Sequence, residues 1–167
     1  MDIEKLKKFE KLPPDVKRQL ALYMAKWKDK KNQSDIKGDF MSFVKHVWPD
    51  FIEGSHHKQV AKKFNEIANG KTKRVIINMA PRHTKSEFAS YLLPAWMVGR
   101  NPKLKIIQST NTTELSVRFG RKAKALMDTP EYKEVFETRL KEDSQAAGKW
   151  ETQQGGEYYA AGVGSAI

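Results

Sequence analysis

The sequence predicts an α/β fold: helices first, then a parallel sheet with crossover helices, then a closing β-hairpin. Two β-branched runs, residues 74–79 and 105–110, are each followed by a helical pattern, and strand-helix-strand-helix order places such strands parallel in one sheet. Upstream of them the apolar residues recur every three to four positions, the period of a half-buried helix. Downstream, Gly155-Gly156 separates two short strand-like runs, residues 149–153 and 157–162, as the turn of a hairpin does.

Each element has its own local reason. After Pro13-Pro14, residues 15–28 align Val16, Leu20, Tyr23, Met24 and Trp27 in one stripe with lysines opposite, an amphipathic helix whose stripe belongs in a core or against a partner protein. Residues 28–37 are polar and read as a linker, which makes 1–38 an N-terminal helical segment and 39–167 the main domain. Residues 39–48 repeat the helical pattern with Phe40, Phe43, Val44, Val47 and Trp48, and Pro49 ends it. A third helix starts near Ser55, carries Val60, Ala61, Phe64, Ile67 and Ala68 inward, and stops at Gly70. Residues 74–79 form the first strand and 85–98 its helix, which Pro94 is expected to kink or end early. Asn101-Pro102 marks the return to the second strand, after which Asn111 caps a helix with Glu114 three residues on. Thr129-Pro130-Glu131 opens a further helix with Tyr132, Val135, Phe136 and Leu140 on one face.

Composition narrows the function classes. The chain of 167 residues holds 31 Lys and Arg against 20 Asp and Glu, a net charge of +11. The excess is concentrated: residues 51–110 carry 11 basic and 3 acidic groups, residues 1–50 carry 12 and 8, and residues 111–167 carry 8 and 9. A basic middle third suits a polyanion, either nucleic acid or a nucleoside triphosphate, and a solvated lysine face is the plain alternative. The absence of cysteine removes disulfide frameworks, thiol nucleophiles and cysteine-ligated metals. His46, His56, His57 and His83 have no metal-ligand spacing. No run approaches the roughly 18 apolar residues of a membrane span, and the start, MDIEKLKKFE, lacks the apolar core of a signal peptide. The expectation is an intracellular protein with no membrane contact.

One segment carries chemistry. Met79-Ala80-Pro81-Arg82-His83-Thr84-Lys85-Ser86 lies between the first strand and its helix, the place of a phosphate-binding P-loop, G-x-x-x-x-G-K-[ST]. Such a loop needs backbone N–H groups curled around a phosphate, a lysine for the β/γ oxygens and a hydroxyl for Mg²⁺. Lys85 and Ser86 supply the last two, while Met79 and Thr84 stand where the glycines would be. An ordinary basic turn is the competing reading. With Thr84 in place, a negative φ is expected there, because a β-branched residue is strained at positive φ.

Residues 74–87, with proline, arginine and histidine ahead of the lysine, resemble the ATPase motor of tailed-phage large terminases. The resemblance extends over residues 40–167. Residues 51–70, led by His56-His57, are similar to the family's segment upstream of the loop; Ser109-Thr110-Asn111 with Arg118-Phe119-Gly120-Arg121-Lys122 are similar to its second strand and helix. Residues 146–150 and 155–164 are similar to its hairpin. The resemblance implies an incomplete P-loop NTPase-like three-layer core with a parallel sheet, and an ATP- and Mg²⁺-dependent motor that packages double-stranded DNA into procapsids. It implies Lys85 on the β/γ-phosphates, Arg82 near the γ-phosphate and Ser86 on Mg²⁺, with Met79, Ala80, Pro81, His83 and Thr84 lining the nucleotide and His57 or Gln59 in the adenine pocket. Implied partners are the portal protein, the small terminase subunit and further copies in a ring, in the host cytoplasm beside the procapsid.

The family's motor continues into a strand ending in paired acids and then a nuclease domain, whereas this sequence has no Asp or Glu after Glu157. The expectation is the front portion of a motor, with little turnover alone, since phosphoryl transfer needs a group to orient water or hold Mg²⁺. Two other functions compete. A non-enzymatic module would bind DNA or a packaging partner through the basic third, with Arg118, Arg121, Lys122 and Lys124 as phosphate contacts. Another P-loop ATPase, such as a helicase, would share the strand-loop-helix core but not the hairpin wording.

Overall fold

A computed structural model describes residues 13–164; the first twelve residues of the N-terminal segment and Ser165-Ala166-Ile167 lie outside the described residues. The chain divides into two compact units, Met1–Asp35 and Ile36–Ile167. Helix α1 (Pro14–Gly38) runs straight through the stretch expected to be a linker. Residues 28–37 contain neither Gly nor Pro, and a polar run of Lys, Gln and Asp keeps helical dihedrals when nothing breaks it. In the first unit the stripe of α1 is not a core: Tyr23, Met24 and Trp27 are all more than half exposed.

The second unit begins with the last turn of α1, where Ile36 is buried and its carbonyl accepts the indole N–H of Trp96 at 3.2 Å. Helix α2 (Phe40–Val47) is capped by Asp39, whose carboxylate accepts the Ser42 N–H at 2.8 Å, and α3 (Ser55–Ala68) follows after Pro49. Phe40 is the hub of the core. Its ring meets Phe64 of α3, Phe88 and Trp96 edge-on at 5.1–5.4 Å, so three helical segments share one aromatic cluster.

Residues 74–79 are a correction to the expected sheet. They belong to no strand, and Ile76 is 89% exposed. A β-branched run becomes a strand only where another strand meets its backbone, and no ladder reaches this one among the described residues. The loop that follows opens a helical rod: α4 (Lys85–Glu87), a π-helical turn (Phe88–Leu92) and α5 (Leu93–Arg100). Pro94 does not end the rod. The π turn just ahead of it, with Leu93 N–H bonded to Phe88 C=O, absorbs the missing proline donor.

Strand β1 (Lys105–Thr110) leads to α6 (Thr113–Asp128), capped by Thr112 rather than Asn111. Helix α7 (Pro130–Val135) is capped by Thr129 as expected, but it stops before Leu140, which opens an unforeseen strand, β2 (Leu140–Ala146). Strands β3 (Lys149–Thr152) and β4 (Glu157–Gly162) make the expected hairpin. Gly156 is obligatory in its turn, because a Cβ there would lie 2.4 Å from the Pro102 carbonyl oxygen.

The result is a mixed α/β unit with one four-stranded sheet, order β1-β4-β3-β2. Strand β1 does gain a parallel neighbour, but it is β4, in register from Lys105 opposite Glu157 to Thr110 opposite Gly162. Helix α6 crosses between them and packs on both strands. On the other face Ile107 is 62% exposed, beside a shallow cavity walled by Lys105, Lys149, Glu157 and Tyr159. Among the described residues no helix is long and apolar enough to cross a membrane.

Candidate functional site

The loop before the helical rod is held at its C-terminal end by the core. Phe88 is 1% exposed and its N–H bonds to the Thr84 carbonyl at 2.9 Å, so the first helical turn is anchored where the loop ends. Arg82 has φ 64 and Thr84 φ 55, both in the left-handed region, with His83 between them at negative φ and the right-handed Lys85 after. The negative φ expected at Thr84 is thus corrected. A left-handed residue leading directly into a right-handed one, as Thr84 leads into Lys85, is the backbone pattern of an anion-binding nest. Two non-glycine residues in that region store about 1–3 kcal/mol each.

Residues 79–87 enclose a cavity of about 440 Å³. Met79, Ala80, Pro81, Arg82, His83, Thr84, Lys85 and Ser86 all line it, so the whole expected loop set faces one space. Arg82, Lys85 and Ser86 are exposed there. His83 Nδ1 donates to the Pro81 carbonyl at 2.9 Å, which ties the loop across its tip.

Glu87 is the only acid in that lining, and it is engaged. Lys122 of α6 donates to both of its carboxylate oxygens at 3.0 Å. Burial, with Glu87 beside it, pushes the Tyr91 hydroxyl up to about 12. Lys122 therefore neutralises the one carboxylate in the loop lining. Arg118 and Arg121 are exposed on the outer side of α6 and Lys124 is half-buried, so the four basic residues of α6 do not share one face.

The two residues expected at an adenine pocket part company. Gln59 is exposed and lines a groove of about 530 Å³ between α3 and residues 75–79, together with His56. His57 turns inward: it is 7% exposed, packs against Phe51 and Phe88 with ring centroids at 4.8 and 5.2 Å, and places Nε2 2.5 Å from Thr84 Oγ1. Its Nδ1 accepts the Gly54 N–H at 2.9 Å. A ring nitrogen that accepts carries no proton, so the neutral ring is protonated at Nε2 and donates to Thr84. Burial, followed by the neighbouring His56, holds the His57 pKa below the usual histidine value.

Sequence reasoning missed the Glu87–Lys122 pair and the His57–Thr84 bond, which join residues 35 and 27 positions apart. Only the local half of the second had a signal: His57, three residues after Gly54, stands where a side chain reaches back to the N–H of the residue before the helix.

Among the described residues no group of three or more His, Cys, Asp or Glu is placed to hold a metal ion. The donor set at the loop, one exposed hydroxyl of Ser86 and a carboxylate already bound by Lys122, fits a Mg²⁺ carried in on phosphate oxygens and not a resident ion. No family model, curated protein or solved structure matches this chain.

Proposed function

We propose that the chain is the ATP-binding motor region of a tailed-phage terminase large subunit, built on a P-loop NTPase-like core, which binds Mg²⁺-ATP at residues 79–86 to power packaging of double-stranded DNA. The observation that supports this best is the loop backbone: φ alternates in sign through Arg82, His83, Thr84 and Lys85 without a single glycine. A basic surface turn has no use for two strained non-glycine residues two positions apart, whereas a left-handed residue leading into a right-handed one suits an anion-binding loop. In this reading Lys85 neutralises the β/γ oxygens, Ser86 contributes its hydroxyl to Mg²⁺, and Arg82 stabilises charge that develops on the transferring group. Mg²⁺, when bound, spreads the phosphate charge. The chain's own part is to seat the phosphates and to keep Glu87 neutralised through Lys122. The groove beside Gln59 and His56 is the candidate seat for the base. The portal, the small subunit, a ring of copies and the host cytoplasm belong to the same proposal.

Titration of a fluorescent ADP analogue with and without Mg²⁺ tests it. Saturable binding lost in Lys85→Ala supports the reading, and no saturation at millimolar concentrations overturns it. The non-enzymatic alternative rests on exposed Arg118 and Arg121. It predicts DNA affinity that falls steeply with salt while nucleotide binding is absent.

A further inference from the structure

His57 joins the loop to the core through three contacts on one ring. Nδ1 is fixed by the Gly54 N–H at 2.9 Å, the ring is held by Phe51 and Phe88, and Nε2–H reaches Thr84 Oγ1 at 2.5 Å. Thr84 is the residue that least suits its backbone, a β-branched side chain at φ 55. Its hydroxyl makes no cap on the helix that follows, so the bond from His57 is what holds the side chain. A glycine would adopt this conformation at no steric cost. Thr84 adopts it with a buried donor fixing its oxygen from outside the loop.

We propose that His57 is a positioning residue for the loop: by donating to Thr84 Oγ1 it holds the left-handed turn that a glycine would otherwise supply, and it leaves the Thr84 O–H free to donate to a phosphate oxygen. The second half rests on the phosphate-binding reading above; the first half does not. Because the donor is a ring clamped by Phe51 and Phe88, the loop is shaped before any ligand arrives, and binding does not have to order it. Gly54 belongs to the same device, since its N–H decides which ring nitrogen carries the proton.

The test uses the full chain, inorganic pyrophosphate as the probe, and NMR of the ligand-free protein to read the sign of the Thr84 φ. His57→Ala is expected to weaken pyrophosphate binding by about tenfold, ~1.4 kcal/mol. His57→Gln restores it, because its amide nitrogen occupies the place of Nε2. With Thr84→Gly the loop no longer needs the donor, so adding His57→Ala there changes affinity little. Thr84→Val, which removes the oxygen and keeps the shape, repeats the loss without touching the buried ring. Equal losses from His57→Ala in the wild-type and Thr84→Gly backgrounds, or no rescue by glutamine, overturn the proposal. If the wild-type chain binds no pyrophosphate, the phosphate-binding reading falls, and the ligand-free spectra judge the remainder. Loss of the positive φ at position 84 in Thr84→Val and His57→Ala supports the positioning role, and its retention in both overturns it.

Discussion

Gly120 is where a single methyl group tests both the packing of α6 on the sheet and its link to the loop. A Cβ at this position would lie 2.5 Å from the Ala147 carbonyl oxygen and 2.8 Å from Tyr158 Cε1. Neither neighbour yields easily. Ala147 is backbone at the turn between β2 and β3, and Tyr158 is fully buried and stacked on Trp150 at 4.7 Å with the rings 2° from parallel. Overpacking of this kind costs about 1–3 kcal/mol, and the backbone contact puts Gly120→Ala at the upper end. Replacing glycine inside a helix returns about 0.5–1 kcal/mol. The net loss is about 1.5–2.5 kcal/mol, or a fall of about 3–10 °C in Tm for a chain of this size. Urea unfolding followed by tryptophan fluorescence measures it, since Trp96 and Trp150 are fully buried. Gly38→Ala is the control, because a Cβ at Gly38 meets nothing within 4 Å. The helix must shift to relieve the contact, and Lys122 lies two residues on, so the bond to Glu87 lengthens and ADP affinity drops as well. A Gly120→Ala protein within about 0.5 kcal/mol of wild type refutes the packing that sets α6 against β4.

Lys85→Ala is expected to abolish nucleotide binding while Arg82→Ala leaves it nearly intact, because a lysine on the β/γ oxygens acts in the ground state and an arginine aimed at the transferring group acts in the transition state; comparable losses of ADP affinity show that Arg82 is a ground-state ligand. ATP turnover by the chain alone should stay near background, since Lys122 occupies the only acid in the loop lining, and brisk phosphate release in a coupled assay contradicts this. Tyr158→Phe should stabilise the protein by about 1 kcal/mol, because the buried hydroxyl has no hydrogen-bond partner among the described residues and its removal relieves a desolvation cost; a lower urea midpoint contradicts it. Burial, His56 and His83 hold His57 below the ordinary histidine value of 6.5 against the opposing pull of Glu53, so the unfolded chain takes up a proton that the folded one refuses. Stability should therefore be flat above about pH 7 and decline as pH falls below 6.5 until the folded ring titrates. His57→Gln should flatten that decline, as read from urea midpoints across the range.

Elements that depend only on neighbours in the chain were legible before any folding was considered. Pro49 follows the end of α2, Gly70 the end of α3, Thr129-Pro130 opens α7, and Gly155-Gly156 turns the β3–β4 hairpin, all by local backbone chemistry. The same locality made residues 79–86 stand out as a loop with a lysine and a hydroxyl at its end. Where local signals conflicted, the reading failed in a physical way. Residues 74–79 have strand composition, yet a strand exists only through its partner, and partner choice is a property of the whole sheet. Residues 130–140 carry apolar residues at helical spacing as far as Leu140, but the helix ends at Val135 and β3 supplied the ladder that made a strand of residues 140–146. A charge pattern placed Lys122 among DNA contacts, while the folded chain set it on Glu87. The sign of φ at Thr84 shows the division most clearly. Intrinsic preference favours a negative value, yet the folded chain holds a positive one with His57 Nε2 against the Thr84 oxygen, a contact between residues 27 positions apart that no local signal announces.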